Sequence, residues 1–158
     1  MVDHVTALLG YLSSGLDHMF GRKRIIMDRD DKRPYMILWQ LIKDKIDTLS
    51  QSRDLKFNIY LHKIMLSDEP VLHDHPWNYF TFILWGGYWE HTPEGKFWRG
   101  PGHWRFSKAE SLHWIEIPEG SYALSLFMRT KKTRTWGFNT NQGWMDYKKY
   151  LTERSNGS

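Results

Sequence analysis

Apolar positions along this chain follow two rhythms. Near the start, Val5, Leu8, Leu9, Leu12, Leu16, Met19 and Phe20 recur at spacings of three and four, which draws one apolar stripe down a helix. Asp3 suits its N-cap and Gly21 its stop, so the pattern predicts an amphipathic helix within residues 1–22. Its polar face is not rich in Lys or Arg, which favours packing on the outside of a sheet over lying on a membrane surface. From residue 23 the rhythm shortens toward two. Residues 24–27 and 35–42 are apolar and branched on either side of the polar run 28–32, a hairpin pattern. Residues 43–50 fit no more than a helical turn. Across 56–65, Phe57, Ile59 and Leu61 alternate with Asn58, Tyr60 and His62, as in a half-buried strand.

Strand and turn then alternate as far as residue 138. Residues 80–89 form a long aromatic strand that Gly86-Gly87 kinks or ends. Pro93-Glu94-Gly95, Gly100-Pro101-Gly102 and Pro118-Glu119-Gly120 read as tight turns. Strands are expected at 96–99, 103–107, 113–117, 122–129 and 135–138. Residues 144–151 read as a closing helix and 152–158 as a disordered tail. Short strands at this spacing predict an all-β sandwich or barrel. With no internal repeat or dividing linker, the organisation is an N-terminal helix (1–22), a β-barrel with its closing segment (23–151) and a tail.

Composition narrows the chemistry. The absence of cysteine excludes a disulfide scaffold, a thiolate zinc site, an iron–sulfur cluster and a cysteine nucleophile. No apolar run approaches the roughly 20 residues of a membrane span, and Asp3, His4 and Asp17 interrupt the N-terminal apolar residues, unlike a secretory signal. The expectation is a soluble, cytoplasmic protein without a membrane partner. A net charge of +4 permits a phosphate-bearing partner without requiring one. Five of the eight histidines and six of the nine tryptophans fall between His73 and Trp114, which points to a concave, aromatic and titratable site there.

The sharpest signal is His73-Asp74-His75-Pro76-Trp77. In a strand, residues i and i+2 face the same side about 7 Å apart, so both imidazoles project together and suit a divalent transition metal. His113, at the start of a later β-run, is the best third ligand. His103, after Gly-Pro-Gly, is a rival, and Glu110 supplies a carboxylate if its loop folds inward. Asp74 points away from the pair.

His73 to Gly86 resembles the first cupin motif, in which His-x-His is followed by a Glu and later a Gly. Pro76 and Gly86 hold the expected places, but Tyr79 stands where the metal-binding Glu belongs. The second motif is degenerate, with His113 but without the preceding Pro-x-Gly. The resemblance spans residues 56–129, and Trp136-Gly137-Phe138 recurs in small single-domain cupins with a His-Asp-His-Pro-Trp segment. It implies a mainly β fold, the double-stranded β-helix or jelly-roll barrel, with the metal site inside the mouth, and a homodimer. Without the Glu, the ligand set resembles that of three-histidine cupins, which include non-haem iron dioxygenases. Fe(II) is the favoured cofactor, with Mn, Ni and Zn compatible with the same ligands. The implied function is a metal-dependent oxygenase acting on a small polar molecule. A sugar or nucleotide-sugar isomerase, epimerase or lyase, and a non-catalytic binding protein, stand as alternatives.

Strand parity from His73 puts Trp77, Tyr79, Thr81, Ile83 and Trp85 on the metal face. Tyr79 becomes a catalytic candidate, as hydrogen-bond donor or fourth ligand, and Trp77 and Trp85 become substrate walls, unless these aromatics simply fill the barrel. Arg105 is the candidate fork for a substrate carboxylate or phosphate. His62, on the preceding strand, is a candidate for the substrate wall and otherwise a half-exposed strand histidine. The stretch 129–149 interleaves six basic residues with Trp136, Phe138, Trp144 and Tyr147. It suits stacking on single-stranded nucleic acid or sealing the barrel, and the second use is the one expected.

Overall fold

A computed structural model describes residues 23–28, 32–41 and 57–156; the expected helix within 1–22 and the turn at 43–50 lie outside them. Among the described residues the chain runs through β1 (Lys23–Met27), β2 (Pro34–Gln40), β3 (Phe57–Ile64), β4 (Tyr79–Gly86), β5 (Tyr88–Thr92) and β6 (Gly95–Arg99). It continues through β7 (Trp104–Ser107), β8 (Trp114–Glu116), β9 (Ala123–Thr130), β10 (Gly137–Thr140) and β11 (Gly143–Asp146) to a helix, α1 (Tyr147–Asn156). The fold is mainly β, as the alternation predicts. No helix among these residues is long and apolar enough to cross a membrane.

The strands form two layers. One is a six-stranded antiparallel sheet in the order β1-β2-β3-β9-β4-β7. The other holds the three-stranded sheet β6-β5-β8 and the hairpin β10-β11. Bridges from His73 to His113 and to Phe138 tie the His-Asp-His segment between β8 and β10. Ile64, Ile83 and Ala123 of the large sheet meet Tyr88 and Ile117 of the opposite layer in a buried apolar cluster, with Met36 and Ile115 packed against it. This plug forms one end of the interior. A cavity of about 330 Å³ begins where it stops, since Ile64, Tyr88 and Ile115 border both.

Local chemistry explains the joints. Gly86 has φ +69°, and a Cβ there would lie 1.9 Å from the Tyr122 carbonyl oxygen, so only glycine lets β4 pass β9 at this point. At Gly137 a Cβ would meet the Met145 carbonyl at 2.1 Å, which accounts for the small residue between Trp136 and Phe138. Asp74 is buried and accepts hydrogen bonds from the Gly137 amide at 2.7 Å, the Trp144 indole at 2.9 Å and the Arg134 guanidinium. It points away from the histidines, as parity requires, and fastens their segment to β10-β11.

Two expectations are corrected. Residues 144–146 belong to β11, not to the closing helix. The Asp146 carboxylate accepts the Lys148 amide at 2.9 Å, and this N-cap starts α1 at Tyr147. The helix then runs through residues 152–156, which the sequence pattern assigns to a disordered tail. Tyr147 stacks on Trp136 at 4.8 Å and Tyr150 on Phe138 at 4.1 Å, while the Tyr150 hydroxyl and Arg154 both reach Glu69. Docking of this kind holds a helix whose own sequence is mostly polar.

The candidate metal centre and its cavity

His73, His75 and His113 converge. Each offers a ring nitrogen within 4.8 Å of the other two, and the Nε2 atoms of His75 and His113 stand 2.8 Å apart. Paired backbone bonds between His73 and His113, 3.0 Å in both directions, set the two chains in register, and the His75 amide is held by the Ala109 carbonyl at 2.9 Å. The cluster thus joins residues 38 positions apart through main-chain geometry. His103 and Glu110, the alternative ligands, do not enter it.

Burial favours the neutral form of His73 and His75. Burial pushes His75 well below its ordinary value, and the neighbouring His113 and His73 act in the same direction. Burial lowers His73 too, with Asp68 opposing. A neutral imidazole with one nitrogen satisfied leaves the other lone pair to ligate. Glu90 supplies this at His113: its Oε1 accepts from Nδ1 at 3.0 Å, so Nε2 carries the lone pair. At His73, Nδ1 faces the Val71 carbonyl at 3.4 Å. Two imidazole nitrogens 2.8 Å apart are within reach of one cation at bonds of about 2.0–2.1 Å. The group can hold a divalent metal, and its three donors are imidazole nitrogens.

Glu90 is absent from the sequence-based candidates. It is 3 % exposed on β5, and its Oε2 also accepts from Arg99 Nε at 2.8 Å and Arg105 Nη1 at 2.6 Å. Burial disfavours its charge, but His113 and the two guanidiniums outweigh that and hold the carboxyl down at about 2. The strand expected over residues 80–89 stops one position before Glu90, and the available signal was the parity that this residue shares with Tyr88.

The remaining candidates separate cleanly. The Tyr79 hydroxyl lies 3.3 Å from His113 Nε2, and burial pushes its phenol well above the ordinary value, so it keeps its proton. Trp77, Thr81 and Arg105 line the cavity beside it. His62 also lines it and is 7 % exposed, so the half-exposed reading is corrected: on β3 the face carrying Tyr60 and His62 turns inward. Trp85 does not belong. A register shift between Ile83 and Trp85 breaks the parity of β4 and leaves Trp85 63 % exposed on the outer surface.

No protein-family model matches the chain, and no curated protein matches it. Among solved structures, a cupin-2 domain protein from Rhodospirillum rubrum superposes with a TM-score of 0.58 at 11% identity, over 85% of this chain and 81% of that one. A sugar phosphate isomerase of the cupin superfamily from Silicibacter pomeroyi gives 0.51 at 14% identity, over 78% and 85%. Fe(II) HppE gives 0.51 at 17% identity, over 69% of this chain and 57% of that one. At these identities the likeness is one of fold, and it agrees with the jelly-roll topology and the inward-facing histidines: this chain has the cupin fold.

Proposed function

We propose that this protein is a metal-dependent enzyme of the non-haem iron oxygenase type, with His73, His75 and His113 holding Fe(II) and a small molecule bound in the adjoining cavity. The observation that carries this is the approach of His75 and His113 Nε2 to 2.8 Å, with Glu90 fixing the tautomer of His113 and no carboxylate in the ligand cluster. When bound, Fe(II) supplies the one-electron chemistry that activates dioxygen; a neutral ligand set leaves its full charge to attract an anionic, chelating substrate. Glu90 orients His113. Tyr79 presents a protonated hydroxyl beside the metal ligands, able to donate a hydrogen bond to a substrate oxygen. Trp77, Tyr79 and Phe127 form an apolar wall that excludes bulk water.

A second reading rests on that same hydroxyl. If the bound ion is zinc, nickel or manganese, Tyr79 is placed to pass a proton to substrate as in an isomerase, epimerase or lyase. The fold accommodates both, since its structural neighbours include a sugar phosphate isomerase and an iron protein.

Metal analysis of untagged protein, with a His73→Ala/His75→Ala variant alongside, separates these readings. Near-stoichiometric iron lost in the variant, with a high-spin nitrosyl signal on adding nitric oxide to the Fe(II) form, supports the oxygenase. Tightly held zinc or nickel without dioxygen uptake moves the assignment to proton-transfer chemistry. Protein that binds no metal even after anaerobic Fe(II) loading sinks both.

A further inference from the structure

The six-stranded sheet is apolar on its outer face as well as its inner one. His62, Phe127 and Thr81 line the cavity, so by alternation their neighbours Leu61, Leu126 and Phe82 turn the other way. Strand register extends these three into one row across the sheet. Trp39 pairs with Leu61, Leu61 with Leu126, Leu126 with Phe82, and Phe82 with Trp104. At its near end the row continues to Lys23 on β1, which pairs with Trp39. A second row, Ile59, Met128, Phe80 and Phe106, runs beside it.

An antiparallel sheet with one face on a core ordinarily shows polar side chains on the other. Here the second layer packs on the inner face, and the helix α1 docks on β10-β11. Exposure is graded along the outer face. Trp39 is 1 % exposed and Leu61 8 %, whereas Trp104 is 64 % exposed and Phe106 57 %. The last two sit on β7, an edge strand, where a bare apolar face invites association.

Where the chain enters this face identifies its cover. The row starts at Lys23, directly after the segment 1–22, whose apolar stripe from Val5 to Phe20 has helical spacing. Strand spacings of about 4.8 Å carry the row roughly 24 Å from β1 to β7. A helix from Val5 to Phe20 advances about 22 Å at about 1.5 Å per residue. Its diameter of about 10 Å also spans both rows, which lie about 7 Å apart along the strands.

We propose that residues 1–22 cover this face as a helix laid across the sheet, with Phe20 at the β1 end and Val5 over Trp104 at the β7 end. The strands beneath carry His62, Phe127 and Thr81 on their other side, so the cover backs the cavity wall. The inference is independent of which metal or substrate the cavity takes.

The chain has no cysteine, so a pair introduced into the full-length protein reports on its own position alone. Val5→Cys/Trp104→Cys and Val5→Cys/Trp98→Cys are treated with a short bismaleimide at micromolar protein, and the products are read by mass spectrometry. Trp98 is the control, exposed on β6 of the opposite layer. Both variants replace exposed tryptophans, and each is used once it shows the parent's cooperative melt. A docked pair meets at an effective concentration on the order of millimolar, so the first variant is expected to form its intrachain link about tenfold faster than the second, or more. In the parent chain, hydrogen exchange across residues 8–19 is expected to be slow; Leu12→Glu, on the stripe, removes that protection, and Ser14→Glu, off it, does not. Equal intrachain linking of the two pairs, or no link to Trp104 when both thiols titrate, overturns the proposal. A link formed mainly between chains also overturns it and makes a second copy the cover. So does fast exchange across residues 8–19 in the folded parent chain.

Discussion

Glu90 stays ionised in a buried position because two guanidiniums and an imidazole N–H surround it. The dependence is mutual, since His113 has its lone pair on Nε2 only while Glu90 accepts from Nδ1. Replacing Glu90 by Ala is expected to weaken metal binding about 10–100-fold, the usual cost of removing a partner that orients a ligating histidine. Glu90→Gln keeps an acceptor oxygen and should lose less. Competition against a chromophoric chelator measures both, and equal affinity for wild type and Glu90→Ala would refute the orienting role. His62 makes a different prediction. Its folded value is about 3, against 6.5 for an unburied imidazole, so between those limits the unfolded chain binds a proton that the folded chain refuses. Stability therefore falls as pH drops below about 6.5, and the loss grows until about pH 3. From pH 7 to 5.5 the contribution is on the order of 1 kcal/mol. His73 and His75 act with the same sign, so the measurable quantity is the difference from His62→Gln, whose urea-denaturation profile should be flatter across that range.

At the level of strands and turns, much was readable because alternation and turn chemistry are local. The hairpin β1-β2, strand β3, the Pro-Glu-Gly and Gly-Pro-Gly turns and the break at Gly86-Gly87 follow from residues a few positions apart. The convergence of His73 and His75 was legible for the same reason, as both lie on one segment. What failed was extrapolation through events that local pattern does not mark. A register shift near Ile83 turns Trp85 outward, and a strand's parity says nothing past a bulge. Glu90 was passed over because the expected aromatic strand ends at residue 89, and only the tertiary meeting with Arg99, Arg105 and His113 reveals its role. The last helix was misplaced because Trp144 and Met145 fit either element, and the deciding feature is the Asp146 cap. Gly86 offers a test at this scale. Gly86→Ala combines positive φ with collision against the Tyr122 carbonyl, and should cost about 2–4 kcal/mol. Gly102 also has positive φ, at +84°, but open space around its Cβ, so Gly102→Ala should cost about 1 kcal/mol by strain alone. Urea denaturation of the two variants isolates the price of the close approach, and equal losses would show that packing of β4 against β9 does not demand glycine.

For the whole molecule, the plug and the cavity divide the interior between stability and chemistry. The plug joins both layers through apolar side chains. Above it, the same two layers meet through polar groups: the three histidines, Tyr79, Glu90 and its arginines. That half encloses a cavity where the plug is packed, so its cohesion should depend on what it binds. A cation shared by His73 and His75 on one segment and His113 on another cross-links those segments in the folded state, and the unfolded chain has no such site. Binding to the native state alone raises stability by about 2.7 kcal/mol when free metal is a hundredfold above its dissociation constant. For a chain of this length that corresponds to roughly 5–11 °C in melting temperature. Metal-loaded protein should therefore melt higher than chelator-treated protein, and the gap should widen as free metal is raised. The His73→Ala/His75→Ala variant should show no gap. Hydrogen exchange would locate the effect, with slower exchange at the His73, His75 and His113 amides and little change at Ile64 or Ala123 below the threshold of global unfolding. A gap that persists in the double variant would mean that metal stabilises the fold somewhere other than the three histidines.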